Sequence, residues 1–395
     1  AVLDISLRHT RRLLAAYRET GAGALAHGNR GRVPTNALDG GIKKRVIELA
    51  GTTYAGCNTQ HFTELLSERE GIKVSRSSVR RLLIKGEVNR PRKRRPPKHR
   101  SRRERYPQKG MLVQTDGSRH DWLEGRGPWL TLIGVIDDAT GEVLHALFRE
   151  QEDTEGYFAL LRGIVEEFGI PLAVYHDGHA VFEHTEHEPL SLEEQLAGER
   201  SHTQFGRLLE ELGITSIRSR SPQARGRVER LWGTFQDRLV SELRLAGAKT
   251  INEANGVLSR YLPGHNRKFA VPAAQSGSAF RTPRHDMDCL FCLKHPRVVG
   301  LDNVVRFGNH RLQVLSDNRY SYARVKVEVH EDFNGALSVY YQGRRLETRV
   351  APPEATKMRQ NSKSITETKP RRYAKPAPNH PWRRGYKVHF DGYKP

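Results

Sequence analysis

Apolar positions recur at helical spacing in the first part of the chain, with basic residues between them. Leu7, Leu13, Leu14 and Tyr17 fall near one face of a predicted helix that two glycines end. A Gly/Arg-rich stretch follows and suits an arm along a phosphate backbone. Because the first residues look like a helix already under way, we expect an N-terminal piece to be missing. Residues 1–36 are then the remnant of a first helix-turn-helix unit and its arm.

A second helical unit is predicted over residues 37–89. Apolar residues recur at helical spacing from Ile42 to Leu49, and another helix follows with Thr59 as its expected cap. After a turn at Gly71, Ser75 is expected to cap a helix over 76–85. This order is typical of a helix-turn-helix, although small helical bundles share it. The basic side chains on the last helix are candidate DNA contacts: Arg76, Arg80 and Arg81.

The segment 90–106 is predicted to be an extended basic linker. From Arg90 to Arg105, ten of sixteen residues are Arg or Lys, and three prolines prevent a continuous helix. A solvated spacer is the plain alternative, but the position between two modules favours tracking of DNA phosphates. Four consecutive basic residues are its candidate DNA contacts: Arg92, Lys93, Arg94 and Arg95.

Residues 107–266 alternate strands and helices. The pattern predicts strands 111–116, 129–137 and 143–149, a helix 154–168 capped by Thr154, a strand 171–176, a helix 203–212, a strand 215–219 and a long helix from about Gly226. Three strands, helix, strand, helix, strand, helix is the element order of the ribonuclease-H-like (RNase H-like) fold. The overall prediction is a multidomain α/β protein with this core at its centre.

The C-terminal part returns to short strands. A connector over 267–296 leads to five predicted strands separated by turn signals, which suit a small SH3-like β-barrel over 297–350. These strands are expected at 298–299, 303–307, 311–315, 323–330 and 337–341. From residue 351 to 395 the chain holds seven prolines, with eleven Lys/Arg against three acids. That tail is predicted to be basic and disordered.

Charge points to a nucleic acid partner. The 395 residues include 66 Lys+Arg against 45 Asp+Glu, for a formal net charge of +21. The sequence pI of about 10.1 implies a polyanion, and nucleic acid is the commonest one. The sequence predicts no membrane-spanning helix, since no apolar run approaches the roughly 20 residues needed. We expect a cytoplasmic, nucleoid-associated protein.

Three cysteines argue against a disulfide framework. Cys289 and Cys292, with His295 after them and His285 before, invite a zinc hypothesis. A structural zinc site needs four ligands, and no second cysteine pair exists, so ordinary packing of the thiols is the favoured interpretation.

Three carboxylates stand where this fold would place the ligands of a divalent metal. Asp116 ends the first strand, Asp177 follows the fourth strand, and Glu229 lies at the head of the long helix. Carboxylates are the hard oxygen ligands that Mg²⁺ prefers, and two such ions about 3.5–4 Å apart support phosphoryl transfer. Competing acids are Asp121, Asp137, Asp138 and Glu188, of which the 137–138 pair suits an ordinary hairpin turn.

At these motifs the chain resembles bacterial insertion-sequence transposases of the retroviral-integrase superfamily, the DDE enzymes, and in particular those pooled as ISNCY. The motifs are Thr115-Asp116-Gly117-Ser118 with Trp122, Val174-Tyr175-His176-Asp177-Gly178, and Ser221-Pro222-Gln223 followed by Gly226-Arg227-Val228-Glu229-Arg230. The resemblance covers nearly the whole chain, and the third motif is the most specific.

The resemblance implies the activity, the cofactor and the partners. Asp116, Asp177 and Glu229 would hold two Mg²⁺ ions, with Mn²⁺ as a substitute. The enzyme would hydrolyse the phosphodiester at transposon ends and join the freed 3′-OH to target DNA. Its partners would be double-stranded DNA, as terminal inverted repeats and as target, and further copies of itself in a dimer or higher oligomer. A non-catalytic DNA-binding protein and a nuclease without strand transfer remain as alternatives.

One departure from the usual pattern concerns spacing. Asp177 and Glu229 are 52 positions apart, and we attribute the excess to an acidic surface insertion over 183–200, which has six Glu and one Arg. The arginines beside the third carboxylate are expected to meet DNA phosphates: Arg225, Arg227 and Arg230. His120, His176 and His179 are expected to orient the metal ligands or to touch the DNA end.

Overall fold

The computed structural model describes residues 5–26, 29–32, 37–88, 103–184, 192–197, 200–219, 226–283, 287–315 and 321–351. Two compact units divide the chain. The larger comprises Ala1–Val298 and Lys326–Leu346, and the smaller comprises Val299–Val325 and Glu347–Pro395. Within the described ranges, no helix is long and apolar enough to cross a bilayer.

The chain begins with the predicted helix, α1 (Leu7–Thr20). Ser6 caps it by accepting a hydrogen bond from the backbone N–H of His9, and Gly21 ends it at a φ of 70°. A short 3-10 turn, Gly21–Leu25, follows. None of the residues of α1 is buried.

Three helices form a small module over residues 37–88, which we call the three-helix module. They are α2 (Gly40–Gly51), α3 (Thr59–Glu68) and α4 (Arg76–Lys85). Their apolar faces share a core that includes Val46, Phe62, Leu66, Val79 and Leu83. Ser75 caps α4 as predicted, whereas α3 is capped by Asn58 and not by Thr59. The Asn58 side chain accepts the N–H of His61 at 2.9 Å, which leaves Thr59 as the first helical residue.

The central sheet has five strands in the order β3-β2-β1-β4-β5. They are β1 (Val113–His120), β2 (Leu130–Asp137), β3 (Val143–Arg149), β4 (Ala173–His176) and β5 (Thr215–Arg218). The first three are antiparallel, and β4 runs parallel to both β1 and β5. The predicted order of the five strands is confirmed, but β1, at the centre of the sheet, runs four residues past its predicted end at Asp116, which therefore lies within the strand.

Helices cover both faces of this sheet. On one face lie α5 (Thr154–Glu167) and α7 (Gln204–Glu211), and on the other lie α8 (Gly226–Leu245) and α9 (Ile251–Phe269). A short helix, α6 (Leu192–Ala197), falls in the acidic insertion. Thr203 caps α7. Asp153, rather than the predicted Thr154, caps α5, because its carboxylate accepts the N–H of Gly156 at 2.8 Å.

The predicted long helix is confirmed as α8, and a second helix that was not predicted, α9, follows it. Gly247, at a φ of 68°, lies in the break after α8. Thr250 then starts α9 with a capping box, in which its hydroxyl accepts the N–H of Glu253 and the Glu253 carboxylate accepts the N–H of Thr250.

Ion pairs hold the three-helix module against α8 and α9. Arg238 on α8 pairs with Glu64 at 2.7 Å, and Lys268 on α9 pairs with the same carboxylate at 3.0 Å. Glu242 on α8 pairs with His61 at 2.9 Å and also with Arg69. The side chain of Arg238 is only 8% exposed, so this contact is part of the interior of the larger unit.

Short strands form two more sheets. After α10 (Met287–Leu290), the larger unit has β6 (Leu293–Val298), β9 (Lys326–Glu331), β10 (Leu337–Tyr341) and β11 (Arg344–Leu346) in the order β11-β10-β9-β6. The smaller unit has β7 (Val304–Phe307), β8 (His310–Val314) and β12 (Thr348–Val350) in the order β12-β8-β7. The first strand lies earlier than predicted, and the three-residue strands β11 and β12 were not predicted. An SH3-like barrel stays a prediction.

Candidate active site

Asp116 and Asp177 lie at the same level of neighbouring parallel strands. The register of β1 with β4 pairs Gln114 with Tyr175. Asp116 is two residues beyond Gln114 within β1, and Asp177 is two residues beyond Tyr175 and directly follows the end of β4, so the two acids lie near one level of the sheet. Adjacent strands are about 4.8 Å apart, which brings the two backbones as close as two ligands of one metal site require.

Helix α8 covers Asp116 and carries Glu229. The indole Nε1 of Trp232 donates to Oδ2 of Asp116 at 3.0 Å, and Gln236 donates to the Ser118 hydroxyl at 3.3 Å. Glu229 lies three residues before Trp232, and residues three apart share one side of a helix. Glu229 therefore lies on the side of the helix that meets β1. It is exposed, in the first turn of α8.

The donor set is chemically suited to a hard divalent cation, since all three candidates are carboxylates. In the described ranges, no three His, Cys, Asp or Glu side chains lie close enough together to hold a metal ion. The sheet thus places Asp116 and Asp177 near one level, and Glu229 lies on the facing helix. The three side chains are not close enough together to form a metal-binding cluster.

Glu152, between β3 and α5, is a further acid near these residues, and the sequence pattern did not single it out. Its carboxylate accepts a hydrogen bond from the Tyr157 hydroxyl. It also occupies the space that a Cβ at Gly117 would fill, directly beside Asp116. Burial, then the charges of Glu152, Asp116 and Asp177, raise the pKa of Tyr157 well above its usual value. Tyr157 therefore lies near all three acids, a relation that no local sequence signal reveals.

His176 supports the turn that carries Asp177. Its ring is fully buried and stacks on Phe182 with 4.1 Å between ring centroids. Nε2 lies 2.9 Å from the Ser216 hydroxyl, and Nδ1 accepts the N–H of Gly178 at 3.0 Å. Burial lowers the pKa of His176 to about 4, so the ring is neutral near pH 7. Its contacts fix the backbone on both sides of Asp177.

The predicted basic contacts divide into three groups. Arg76, Arg80 and Arg81 are exposed on α4, and Arg230 is exposed on α8. Arg227 differs, because its side chain is 11% exposed and pairs with Asp138 at 2.7 Å. That pairing gives Arg227 a partner inside the protein, and its contact with DNA phosphate stays a prediction. The others lie outside the described residues: Arg92, Lys93, Arg94, Arg95 and Arg225.

The competing acids have structural partners. Asp137 accepts the N–H and hydroxyl of Thr140 and the N–H of Gly110, so its hairpin role is confirmed. Asp121 accepts the N–H of Gly125 at 3.0 Å in the loop after β1. Asp138 accepts more hydrogen bonds than a residue needs to hold a turn. Glu188 lies outside the described residues.

The cysteine pair is packed against apolar and histidine side chains. Cys292 is buried, and burial raises the pKa of its thiol to about 11, which disfavours the thiolate that zinc would need. Cys289 lies 3.9 Å from Nδ1 of His330. His295 lies in β6, and His285 lies outside the described residues.

The chain is similar to two curated transposases. It is 35% identical over 357 residues to the putative transposase y4bF of Sinorhizobium fredii, covering 88% of this chain and 76% of the relative. It is 30% identical over 418 aligned positions to the transposase for insertion sequence IS1202 of Streptococcus pneumoniae, covering 96% of this chain and 88% of the relative. No protein-family model matches the sequence.

Solved structures give weaker likenesses. A simian T-cell lymphotropic virus intasome in complex with the PP2A regulatory subunit B56 gamma matches at 16% identity and a TM-score of 0.32, covering 78% of this chain and 100% of that one. The HTLV-2 integrase catalytic core domain in complex with magnesium matches at 18% identity and a TM-score of 0.27, covering 38% and 82%. TM-scores this low support neither fold nor function.

The two sequence relatives are long matches, and each spans most of both proteins. They agree in name, since both are transposases, and one is named for its insertion sequence. This chain belongs to the family of insertion-sequence transposases.

Proposed function

We propose that this transposase is a DDE enzyme with an RNase H-like core, in which Asp116, Asp177 and Glu229 hold two Mg²⁺ or Mn²⁺ ions. The observation that carries the proposal is the level placement of Asp116 and Asp177 on neighbouring parallel strands, with Glu229 on the facing helix. When bound, such ions activate the attacking oxygen and stabilise the leaving oxygen of a phosphodiester.

The protein's own residues prepare the ligands. Trp232 donates to Oδ2 of Asp116 and thereby orients that carboxylate. His176 holds the backbone that carries Asp177, and the N–H of His179 donates to Oδ1 of Asp177 at 2.9 Å. Hydrogen bonds thus orient Asp116 and Asp177 from the protein side, as an electrostatic site requires.

DNA binding is assigned to the basic surfaces. We propose that α4 of the three-helix module is the recognition helix of a helix-turn-helix, with Arg76, Arg80 and Arg81 toward DNA. Arg230, beside Glu229, would meet phosphates near the scissile bond. The DNA would comprise the element's ends and the target, and a dimer or higher oligomer would pair the ends. The net charge of +21 supports a polyanionic partner.

A strand-transfer assay tests the proposal. DNA carrying the ends of the encoding element is incubated with the full chain and Mg²⁺ or Mn²⁺, and joined products are separated on a gel. We expect joined products from the unchanged protein and a loss of more than about a hundredfold from Asp116→Asn, Asp177→Asn or Glu229→Gln. Full activity in any of the three would sink the assignment. Cleavage without joined products would indicate a nuclease, and binding without cleavage a regulatory protein.

A further inference from the structure

Asp138 joins three separate parts of the catalytic core. It follows β2, and its side chain accepts from Gln114 on β1 at 2.6 Å and from Arg227 on α8 at 2.7 Å. It also accepts from the guanidinium of Arg103 and from the backbone N–H of Tyr106 at 2.9 Å. Arg103 and Tyr106 belong to the end of the basic linker. A single carboxylate thus binds the linker, the first strand and the catalytic helix.

The burial of Asp138 makes these contacts strong. Its side chain is 0% exposed, against 11% for Arg227 and 33% for Arg103. A buried carboxylate is costly unless it is paired and hydrogen-bonded, and here two guanidinium groups and two neutral donors satisfy it. Arg227 also donates to the backbone carbonyl of Arg103 at 3.1 Å, which closes the connection between linker and helix.

The partners of Asp138 are close in sequence to the proposed metal ligands. Arg227 lies two residues before Glu229 in the first turn of α8, and Gln114 lies two residues before Asp116 in β1. A helix end is the least constrained part of a helix, since its terminal turn has few internal hydrogen bonds. Together with the Trp232–Asp116 hydrogen bond, the contacts of Asp138 with Arg227 and Gln114 therefore tie the turn carrying Glu229 to the strand carrying Asp116.

We propose that Asp138 is a positioning residue, which holds the first turn of α8 against β1 and couples both to the basic linker. This inference rests on the proposed function, because it assigns Glu229 and Asp116 to the same metal site. Asp138 touches neither metal nor DNA and acts through Arg227 and Gln114.

Metal-binding measurements test the positioning role of Asp138 directly and do not require catalysis. Trp232 touches Asp116, so its fluorescence reports ions arriving at that carboxylate. The full chain is titrated with Mg²⁺ and with Mn²⁺, and Trp232→Phe identifies the signal among the four tryptophans. We expect Asp138→Asn to raise the metal midpoint about tenfold and to slow strand transfer by about ten- to a hundredfold. Affinity for end DNA should stay within about twofold of the unchanged protein, since the exposed α4 arginines are intact.

Two further variants separate positioning from folding. Arg227→Gln should reproduce the midpoint of Asp138→Asn, and the double variant should be no weaker than either single one, because both remove the same contact. Arg162→Gln is the matched control. Arg162 pairs with Glu166 and Asp288 on the far side of the core, and its loss should leave the metal midpoint unchanged.

The outcomes distinguish this inference from the function on which it rests. If the unchanged protein joins no DNA, the proposed function fails. If it joins DNA while Asp138→Asn keeps both the metal midpoint and the rate, the positioning role is overturned. Should Asp138→Asn fail to fold, Arg103→Gln, which keeps the carboxylate and removes one partner, takes its place. A midpoint raised about threefold or more then supports the role, and an unchanged midpoint contradicts it.

Discussion

The two ends of α8 use charge in opposite ways. At the first turn, Glu229 is exposed while the neighbouring Arg227 is held by Asp138. In the last turns, the buried Arg238 and the half-buried Glu242 form ion pairs with the three-helix module, to Glu64 and to His61. On the proposed assignment, one helix contributes a metal ligand at its start and attaches a second module at its end. The same substitution should therefore have different effects at the two ends.

The largest effect is expected at the start of the helix. Glu229→Gln removes a proposed metal ligand and should lower strand transfer by more than about a hundredfold. Because Glu229 is exposed, the midpoint of urea denaturation should not move. Activity and urea unfolding are measured on the same preparation. A variant that lost stability in proportion to activity would erase the contrast between the ends.

The same change at the other end should act on stability. Glu242→Gln weakens the pairs with His61 and Arg69, and we expect a loss of about 1–2 kcal/mol in the free energy of unfolding. Strand transfer at a temperature where the variant is folded should fall less than about threefold. Arg267→Ala, an exposed change on α9, is the control for denaturation. A hundredfold loss of activity in Glu242→Gln would mean that this end is also catalytic.

The pH dependence of stability sharpens the comparison further. Burial raises the pKa of Glu64, but hydrogen bonds from Arg238, Gln60 and Lys268 outweigh it and lower the pKa to about 2. A carboxyl with a depressed folded-state pKa stabilises the fold above its unfolded value of 4.5, and this is lost as pH falls from there toward 2. The free energy of unfolding is measured with urea at pH 6 and at pH 3. Between these pH values it should fall more in the unchanged protein than in Glu64→Gln. Equal slopes would count against the pair.

The smallest effect is expected on the exposed face of the three-helix module. Arg80→Ala removes one exposed positive charge and should weaken binding of end DNA modestly, with the slope of log affinity against log salt reduced by about one. Filter binding at several salt concentrations measures it. Stability should be unchanged, in contrast with the buried arginine of α8. An unchanged slope would remove Arg80 from the DNA contacts.

Local pattern predicted the strands and helices of the core, because apolar spacing and capping residues are local properties. Asp116 and Asp177 could be singled out since each ends an apolar run at a strand, and Glu229 because a helix follows its motif. The role of Asp138 could not be predicted, since its partners Arg103 and Arg227 are 35 and 89 positions away. Glu152 was missed for the same reason: only the folded chain brings it to Gly117.

Because the three-helix module is attached to the end of α8, the length of this helix separates the module from the first turn of α8. The helix has 20 residues, which is about 30 Å at about 1.5 Å per residue. B-form DNA rises about 3.4 Å per base pair, so that length corresponds to about nine base pairs. On the proposed assignment, in which the three-helix module binds the element's end and the metal site lies at the start of α8, this length sets the spacing between the bound sequence and the cleavage position. Inserting base pairs between the bound sequence and the cleavage position should abolish DNA cleavage and leave the affinity for DNA unchanged.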